Sequence, residues 1–215
     1  LCRGNDTAKD QSYFLYRLNQ KILSAVSFPL GKYTKHEIRE IAAEFGFSNA
    51  EKKDSQDICF LPDNAYGDFI SEYTKADFSE GPFVFSDGRI IGKHRGVPRY
   101  TIGQRKGLGI AWECPLYVTG KDCETDTVFL GKEEDLYSES AILTNCVFAR
   151  DCYAASPFSA TVKTRYGKRE TKAQIIPYPD GHAEIFFEER QRAVTPGQSA
   201  VFYDENRVIG GGFIE

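Results

Sequence analysis

A cysteine in the first third of the sequence stands among residues that suit a reactive thiol. Cys59 lies between Ile58 and Phe60 and follows two lysines, Lys52 and Lys53. A thiol reacts as its thiolate, and a nearby ammonium group favours the thiolate. The other interpretation is a small buried hydrophobe in a strand, because free cysteines are among the most buried residue types. Taken alone, the local pattern favours the buried hydrophobe.

Lys9 and Gln11 follow a polar turn and stand where a run with helical spacing begins. Backbone N–H groups at a helix N-terminus attract phosphate, so these two side chains are candidates for a nucleic-acid contact. The same pattern fits an ordinary helix cap with Asp6 or Thr7 as the capping residue. Locally, the cap is the better interpretation.

Three further places carry groups that suit nucleic-acid binding. Arg165 beside Tyr166 joins a cation for phosphate to a ring for base stacking, but the pair also fits a half-exposed strand. Gln198, in a Pro-Gly turn, has an amide for a base edge or for closing the turn. Residues 101–109 (TIGQRKGLG) set glycines around an amide and two cations, which fits a phosphate loop or a flexible hairpin.

Composition and charge exclude several classes of protein. The 215 residues are 41% hydrophobic and 27% charged, as in a globular protein. The net charge of −4 argues against a general polyanion binder, although residues 89–112 and 163–172 are locally basic. Six cysteines without a C-x-x-C pair, and three histidines distant from them in sequence, predict no metal site and no disulfide scaffold. No stretch approaches the ~20 apolar residues of a membrane span.

The elements that position these residues are predicted to be helical first. Apolar residues recur at helical spacing over residues 14–26, which predicts a helix there. Thr34 followed by Glu37 is a capping box that opens a second helix, and Gly46 suits its end. A third short helix is predicted over residues 64–73.

The sequence is β-rich after about residue 75. Asp87-Gly88 between apolar runs predicts a hairpin, and residues 116–119 and 128–130 predict two more strands. Six later strands have roughly regular spacing, which is typical of a small barrel or sandwich. They are predicted over residues 141–148, 160–165, 172–176, 183–187, 199–203 and 208–213.

Five sequence words occur in one order, followed by GGGFI at residues 210–214. They are KDQSYFL at 9–15, FPLG at 28–31, KDSQDICF at 53–60, TIGQRKGLG at 101–109 and TPGQ at 195–198. This set closely resembles the tRNA-specific 2-thiouridylases, the enzymes that thiolate the wobble uridine of tRNA. The resemblance extends over essentially the whole chain.

The resemblance implies an α+β multidomain fold. Residues 1–75 would be the C-terminal helical part of a pyrophosphate-loop ATP-binding domain and would include the catalytic cysteine segment. Residues 76–137 would form a small central β domain, and residues 138–215 a six-stranded β-barrel that binds tRNA. The Ser-Gly-Gly-x-Asp-Ser motif of the ATP-binding domain is absent, and so is methionine. We therefore expect a fragment of the enzyme that is inactive alone.

The resemblance also implies the chemistry. Cys59 would receive sulfur from a sulfur-relay protein or a cysteine desulfurase and hold it as a persulfide. ATP, with Mg²⁺, would adenylate O2 of the wobble uridine, sulfur would replace it, and a second cysteine outside this sequence would form a disulfide with Cys59. The expected substrates are the tRNAs for glutamate, glutamine and lysine. The implied tRNA contacts are Lys9, Asp10, Gln11, Arg165, Tyr166 and Gln198.

Two other functions stay open at this point, both compatible with the expected cytoplasmic location. One is a non-catalytic RNA-binding β-barrel module, which would bind tRNA whether or not Cys59 is present. The other is a sulfur carrier that acts on proteins and has no affinity for RNA. The residues 104–106 within the glycine-rich word would be either a structural loop or a lid that orders on tRNA.

Overall fold

Short helices and turns make up the first part of the chain. The structure is a computed structural model that describes residues 1–52, 66–75, 78–167 and 169–215. The helices are α1 (Ser12–Leu15), α2 (Gln20–Leu23), α3 (Lys35–Glu44), α4 (Tyr66–Thr74) and α5 (Asp151–Ala155). Short 3₁₀ helices occupy Pro29–Lys32, Val97–Arg99 and Glu133–Leu136.

The prediction of one helix over residues 14–26 is wrong, because two short helices occupy this region. The side chain of Asn19 accepts a hydrogen bond from the backbone N–H of Ile22 at 2.9 Å and starts α2 afresh. Asparagine favours such caps over helix interiors, since its side chain competes for backbone N–H groups. The capping box of α3 is confirmed: Glu37 accepts from the Thr34 N–H at 2.6 Å, and this bond lowers the pKa of the Glu37 carboxyl.

The chain divides into two compact units, which are described separately. The sheet unit comprises Asp54–Ser138 and Gln191–Ala193. The barrel unit comprises Leu1–Lys53, Glu139–Arg190 and Val194–Glu215, so the N-terminal segment and the barrel belong to one unit. None of the helices in the described ranges is long and apolar enough to cross a membrane.

The sheet unit contains a four-stranded sheet in the order β2-β1-β4-β3. Its strands are β1 (Gly81–Phe85), β2 (Ile90–His94), β3 (Tyr117–Asp122) and β4 (Thr127–Gly131). The predicted hairpin is confirmed, since β1 pairs with β2 antiparallel and Gly88 in the turn has φ of +88°. Strands β1 and β4 are parallel, and the core of the unit includes the fully buried Phe83, Val118 and Leu130.

The barrel unit closes six strands in the order β10-β5-β8-β7-β6-β9. They are β5 (Tyr137–Phe148), β6 (Phe158–Lys163), β7 (Thr171–Pro177), β8 (Ala183–Arg192), β9 (Ser199–Asp204) and β10 (Arg207–Ile214). Alternate residues point inward, and the interior is filled by Leu143, Ile175, Ile185 and Phe202. The predicted α+β fold with a C-terminal six-stranded β-barrel is confirmed.

Candidate nucleic-acid interface

The first seventeen residues, here called the docking segment, pack against the outside of the barrel. Tyr13 and Tyr16 are buried against β9 and β10, in a cluster with Val201 and Tyr203. The Tyr13 hydroxyl donates to the backbone carbonyl of Ser199 at 2.8 Å. Burial raises the pKa of Tyr13 to about 12. Each buried tyrosine thus anchors α1 by apolar area and by its polar end.

The glycine run of β10 makes room for this packing. A Cβ on Gly211 would lie 2.8 Å from Cδ2 of Tyr16 and 2.6 Å from the backbone carbonyl oxygen of Ala200. Any larger residue at this position would force the Tyr16 ring or the strand to move. The middle glycine of the GGGFI word therefore has a structural explanation, namely the close approach of Tyr16 to the barrel wall.

Asp10 is buried and fixes the backbone at the start of α1. Its Oδ1 accepts from the backbone N–H groups of Gly4 at 3.0 Å and Ser12 at 3.1 Å, and its Oδ2 accepts from the Ser12 hydroxyl at 2.6 Å. The Ser12 hydroxyl also lies 3.3 Å from the hydroxyl of Tyr203 on β9. Asp10 is only 6% exposed. All three of these hydrogen bonds come from the docking segment itself.

Arg3 fastens the beginning of the segment to the same strand. Its guanidinium lies 3.7 Å above the ring centre of Tyr203 and pairs bidentately with Glu170, at 2.8 Å for Nη2 to Oε2. The Lys163 ammonium is also within 3.8 Å of Glu170. Sequence analysis did not single out Arg3, Ser12 or Tyr203, because their roles depend on contacts between residues far apart in the chain.

The residues on either side of Asp10 remain exposed. Lys9 and Gln11 both have exposed side chains, so the exposure alternates along residues 9–11. Helix α1 begins only at Ser12, and therefore the prediction of both residues in its first turn is wrong. The Gln11 amide nitrogen donates to the hydroxyl of Tyr166 at 3.0 Å and lies 3.5 Å from the carbonyl of Lys9. Two predicted residues that are 155 positions apart thus touch.

Arg165 and Gln198 extend the same face along the barrel. Arg165 Nη2 donates to the hydroxyl of Thr195 at 2.9 Å. The backbone N–H of Gln198 donates to the Thr195 carbonyl at 3.1 Å, while its exposed side chain closes no described contact. The structure thus links five of the six predicted residues into one face of the barrel unit, here called the exposed polar face, and Asp10 lies beneath it. Four of the five side chains are exposed, and Arg165 is half-buried. This face comprises Lys9, Gln11, Arg165, Tyr166 and Gln198.

Phe14 belongs beside this face, although sequence analysis placed it only in a helix pattern. Its ring centroid is 4.7 Å from that of Tyr166, and Tyr166 is also 6.2 Å from Tyr13. Phe14 is nevertheless 57% exposed and Tyr166 is 38% exposed. The helical spacing counted Phe14 among its apolar residues, but the residues buried here are Tyr13 and Tyr16.

The glycine-rich word lies in the sheet unit and closes on itself. Gln104 Oε1 accepts from the Thr101 N–H at 3.0 Å, and its Nε2 donates to the Lys106 carbonyl at 3.0 Å. Its backbone also pairs with Val118 of β3, and Leu108 is buried. Both ends of the Gln104 amide therefore serve the loop, whereas the side chains of residues 105 and 106 are exposed.

The candidate nucleophile, Cys59, lies outside the described residues. No group of three or more His, Cys, Asp or Glu in the described ranges could hold a metal ion. The Ser-Gly-Gly-x-Asp-Ser motif that the resemblance leads us to expect does not occur in these 215 residues.

Three family models match consecutive parts of the chain. The tRNA methyl transferase HUP domain matches residues 1–63, the tRNA methyl transferase PRC-barrel domain matches residues 67–132, and the aminomethyltransferase β-barrel domain matches residues 138–214.

Curated relatives agree with these matches. The tRNA-specific 2-thiouridylase MnmA of Halothermothrix orenii is 45% identical over 100% of this chain and 60% of its own length. The enzyme of the same name from Clostridium beijerinckii is 44% identical over the same shares. MnmA 1 of Caldanaerobacter subterraneus is 46% identical over 100% of this chain and 59% of its own. The chain spans about 60% of the length of these relatives, and it belongs to the family of the tRNA-specific 2-thiouridylases.

Proposed function

We propose that this chain provides the tRNA-binding face and the sulfur-carrying cysteine of a tRNA sulfurtransferase that 2-thiolates the wobble uridine. The observation that carries the proposal is the packing of the docking segment on the barrel, which joins Gln11 to Tyr166. Family membership supplies the reaction, since the relatives are named as tRNA-specific 2-thiouridylases.

The chemistry of the exposed polar face suits single-stranded RNA. An unpaired loop offers phosphates, base edges and base faces. The face offers cations at Lys9 and Arg165, an exposed ring at Tyr166 and amides at Gln11 and Gln198. The chain as a whole is acidic, with a net charge of −4, and the two cations of this face are the groups that would attract a phosphate backbone.

Asp10 acts in this proposal as a positioning residue. Its carboxylate is buried and already accepts three hydrogen bonds from the docking segment. A buried carboxylate would also repel a phosphate rather than bind it. In this proposal Asp10 holds the backbone that presents Lys9 and Gln11 and does not itself touch tRNA.

Cys59 is proposed as the residue that carries sulfur as a persulfide, loaded by a sulfur-relay protein or a cysteine desulfurase. ATP, with Mg²⁺, would make the uridine O2 a leaving group. The proposal for Cys59 rests on the KDSQDICF word at residues 53–60. The tRNAs for glutamate, glutamine and lysine are the proposed substrates, and the proposed setting is the cytoplasm.

The test uses the full-length product of the gene that encodes this chain. It is incubated with ATP, Mg²⁺, a persulfide source and unmodified glutamate tRNA, and the digested tRNA is searched for 2-thiouridine by mass spectrometry. We expect thiouridine from the wild type and none from Cys59→Ser, with an unchanged Kd for tRNA. Arg165→Ala should raise the Kd about 10-fold, the effect of losing one charged contact.

Arg190→Ala is the matched control, because Arg190 is an exposed arginine on β8, the strand opposite β9 in the closed barrel. Its Kd should equal that of the wild type. Thiouridine from Cys59→Ser would remove Cys59 from its role. Intact tRNA binding with no thiouridine from the wild type would favour the non-catalytic RNA-binding module, and persulfide loading without tRNA binding would favour the sulfur carrier.

A further inference from the structure

We infer that Phe14 and Tyr166 form a stacking platform for one unpaired base of the bound tRNA. The inference rests on the proposed function and adds to it a subsite and a residue, Phe14, that is not among the tRNA contacts proposed above. It starts from an apolar ring that is 57% exposed although burial would stabilise it.

The two rings are held in place before any ligand arrives. Tyr166 is fixed at its hydroxyl by Gln11 and along its ring by Phe14 and Tyr13. Phe14 stands on α1 next to Tyr13, whose hydroxyl is bonded to the barrel, and the two rings meet edge to face at 5.3 Å. A platform with fixed rings loses little conformational entropy when a base stacks on it.

The surroundings indicate which flat molecule the platform accepts. Arg165 directly precedes Tyr166 in the chain, and Lys9 stands two residues before Gln11, whose amide donates to the Tyr166 hydroxyl, so two cations are close to the rings in sequence. An apolar protein partner would bring no negative charge to these groups. An unpaired nucleotide brings both a planar base and a phosphate, and aromatic rings between cations are the usual surface for it.

An exposed phenylalanine elsewhere on the barrel lacks these features. Phe186 on β8 is exposed to 45%, but β8 is opposite β9 in the barrel. Its strand neighbour across β7 is Gln174, which carries no charge. Phe186 therefore serves as a control for the loss of an exposed phenylalanine.

The experiment measures the Kd of the full-length protein for the anticodon stem-loop of glutamate tRNA. A series of RNAs lacks one loop base at a time, with the ribose and phosphate retained. At one loop position, base removal should raise the Kd of the wild type by about 5- to 150-fold, which corresponds to the stacking of one base. The same removal should raise the Kd of Phe14→Ala by less than about 2-fold, since the two changes delete one interaction.

Further variants separate stacking from structural effects. Phe14→Trp keeps an aromatic face and should retain the response to the abasic RNA. Phe14→Leu keeps an apolar side chain but no ring and should behave like Phe14→Ala, while Phe186→Ala should behave like the wild type.

The inference is overturned if Phe14→Ala and base removal each raise the Kd and the two increases multiply at every loop position. That result would assign Phe14 to packing against another part of the longer protein. The inference fails separately from the proposed function, because tRNA binding that depends on Arg165 would survive this result. Absence of tRNA binding by the wild type would overturn both.

Discussion

The docking segment and the glycine-rich loop use the same side-chain type, glutamine, in two different ways. Gln11 and Gln104 both stand in polar sequence words with a lysine close by. The Gln11 amide reaches the hydroxyl of a distant residue and keeps its other end without a hydrogen-bond partner among the described residues. The Gln104 amide donates and accepts within its own loop. A polar word indicates a binding surface only where some of its hydrogen-bonding groups have no partner within the folded chain.

The largest effect is expected from Asp10→Ala. It would leave two backbone N–H groups and the Ser12 hydroxyl without their acceptor in a buried place. We expect the free energy of unfolding to fall by about 2–4 kcal/mol. Urea unfolding followed by circular dichroism measures this loss.

The control for this prediction is Asp122→Ala in the sheet unit. Asp122 also accepts three hydrogen bonds, from Glu124 and Thr125, but it lies in an exposed turn where water can replace it. Asp122→Ala should lower the free energy of unfolding by clearly less than Asp10→Ala does. Equal losses for the two variants would contradict the assignment of Asp10 as the buried support of the docking segment.

Gly211→Ala should have the next largest effect and lower the free energy of unfolding by about 1–3 kcal/mol, because the added methyl group displaces the Tyr16 ring or the strand. Gly181→Ala is a useful comparison, since its added Cβ meets no atom within 4 Å and only its φ of +85° is unfavourable. Thermal unfolding of the two variants distinguishes the effects. If Gly211→Ala has the stability of the wild type, the docking segment is not held as described.

Gln11→Ala and Gln104→Ala should give opposite results in two assays. Gln104→Ala removes two loop bonds and should lower the free energy of unfolding by about 1–2 kcal/mol with an unchanged Kd for tRNA. Gln11→Ala should leave stability nearly unchanged and raise the Kd by about 5-fold, one neutral hydrogen bond. Any reversal of this pattern would reverse the comparison between the two regions.

Alkaline pH should lower the free energy of unfolding through the buried tyrosines. Burial raises the pKa of Tyr13 to about 12 and raises that of Tyr203 as well. The folded state therefore favours the neutral phenol, and this stabilisation is fully present below about pH 10, the pKa of an unfolded tyrosine. It should be lost as the pH rises from 10 to 12.

Tyr13→Phe tests the contribution of one ring to this pH dependence. The variant lacks a titrating group at this position, so its free energy of unfolding should fall less steeply over the same pH range. Equal slopes for the variant and the wild type would show that Tyr13 is not buried against the barrel in solution.

Local rules predicted much of the fold. The Thr34 capping box, the Asp-Gly hairpin and the regular strands of the barrel each depend on residues close in sequence. The prediction of one helix over residues 14–26 failed because apolar spacing does not show that the Asn19 side chain caps a new helix. Nor does apolar spacing show which side of α1 meets the barrel. Tyr13 and Tyr16 are buried there, and Phe14 is left exposed.

The site could be predicted only as a set of separate words. Nothing in the sequence shows that Gln11 meets Tyr166, that Asp10 is buried or that Arg3 lies on Tyr203, because these contacts join residues more than 150 positions apart or depend on burial. The roles of Cys59 and of the exposed face remain predictions for experiment.

The most direct test of the account is the salt dependence of tRNA binding by the full-length protein. The Kd for glutamate tRNA is measured from low to moderate salt for the wild type, for Lys9→Ala with Arg165→Ala, and for Arg105→Ala with Lys106→Ala. If the exposed polar face holds the tRNA backbone, the first pair should lower the slope of log Kd against log salt by about 1.4–1.8, two phosphate contacts. The second pair should leave the slope unchanged, and the opposite result would contradict the account.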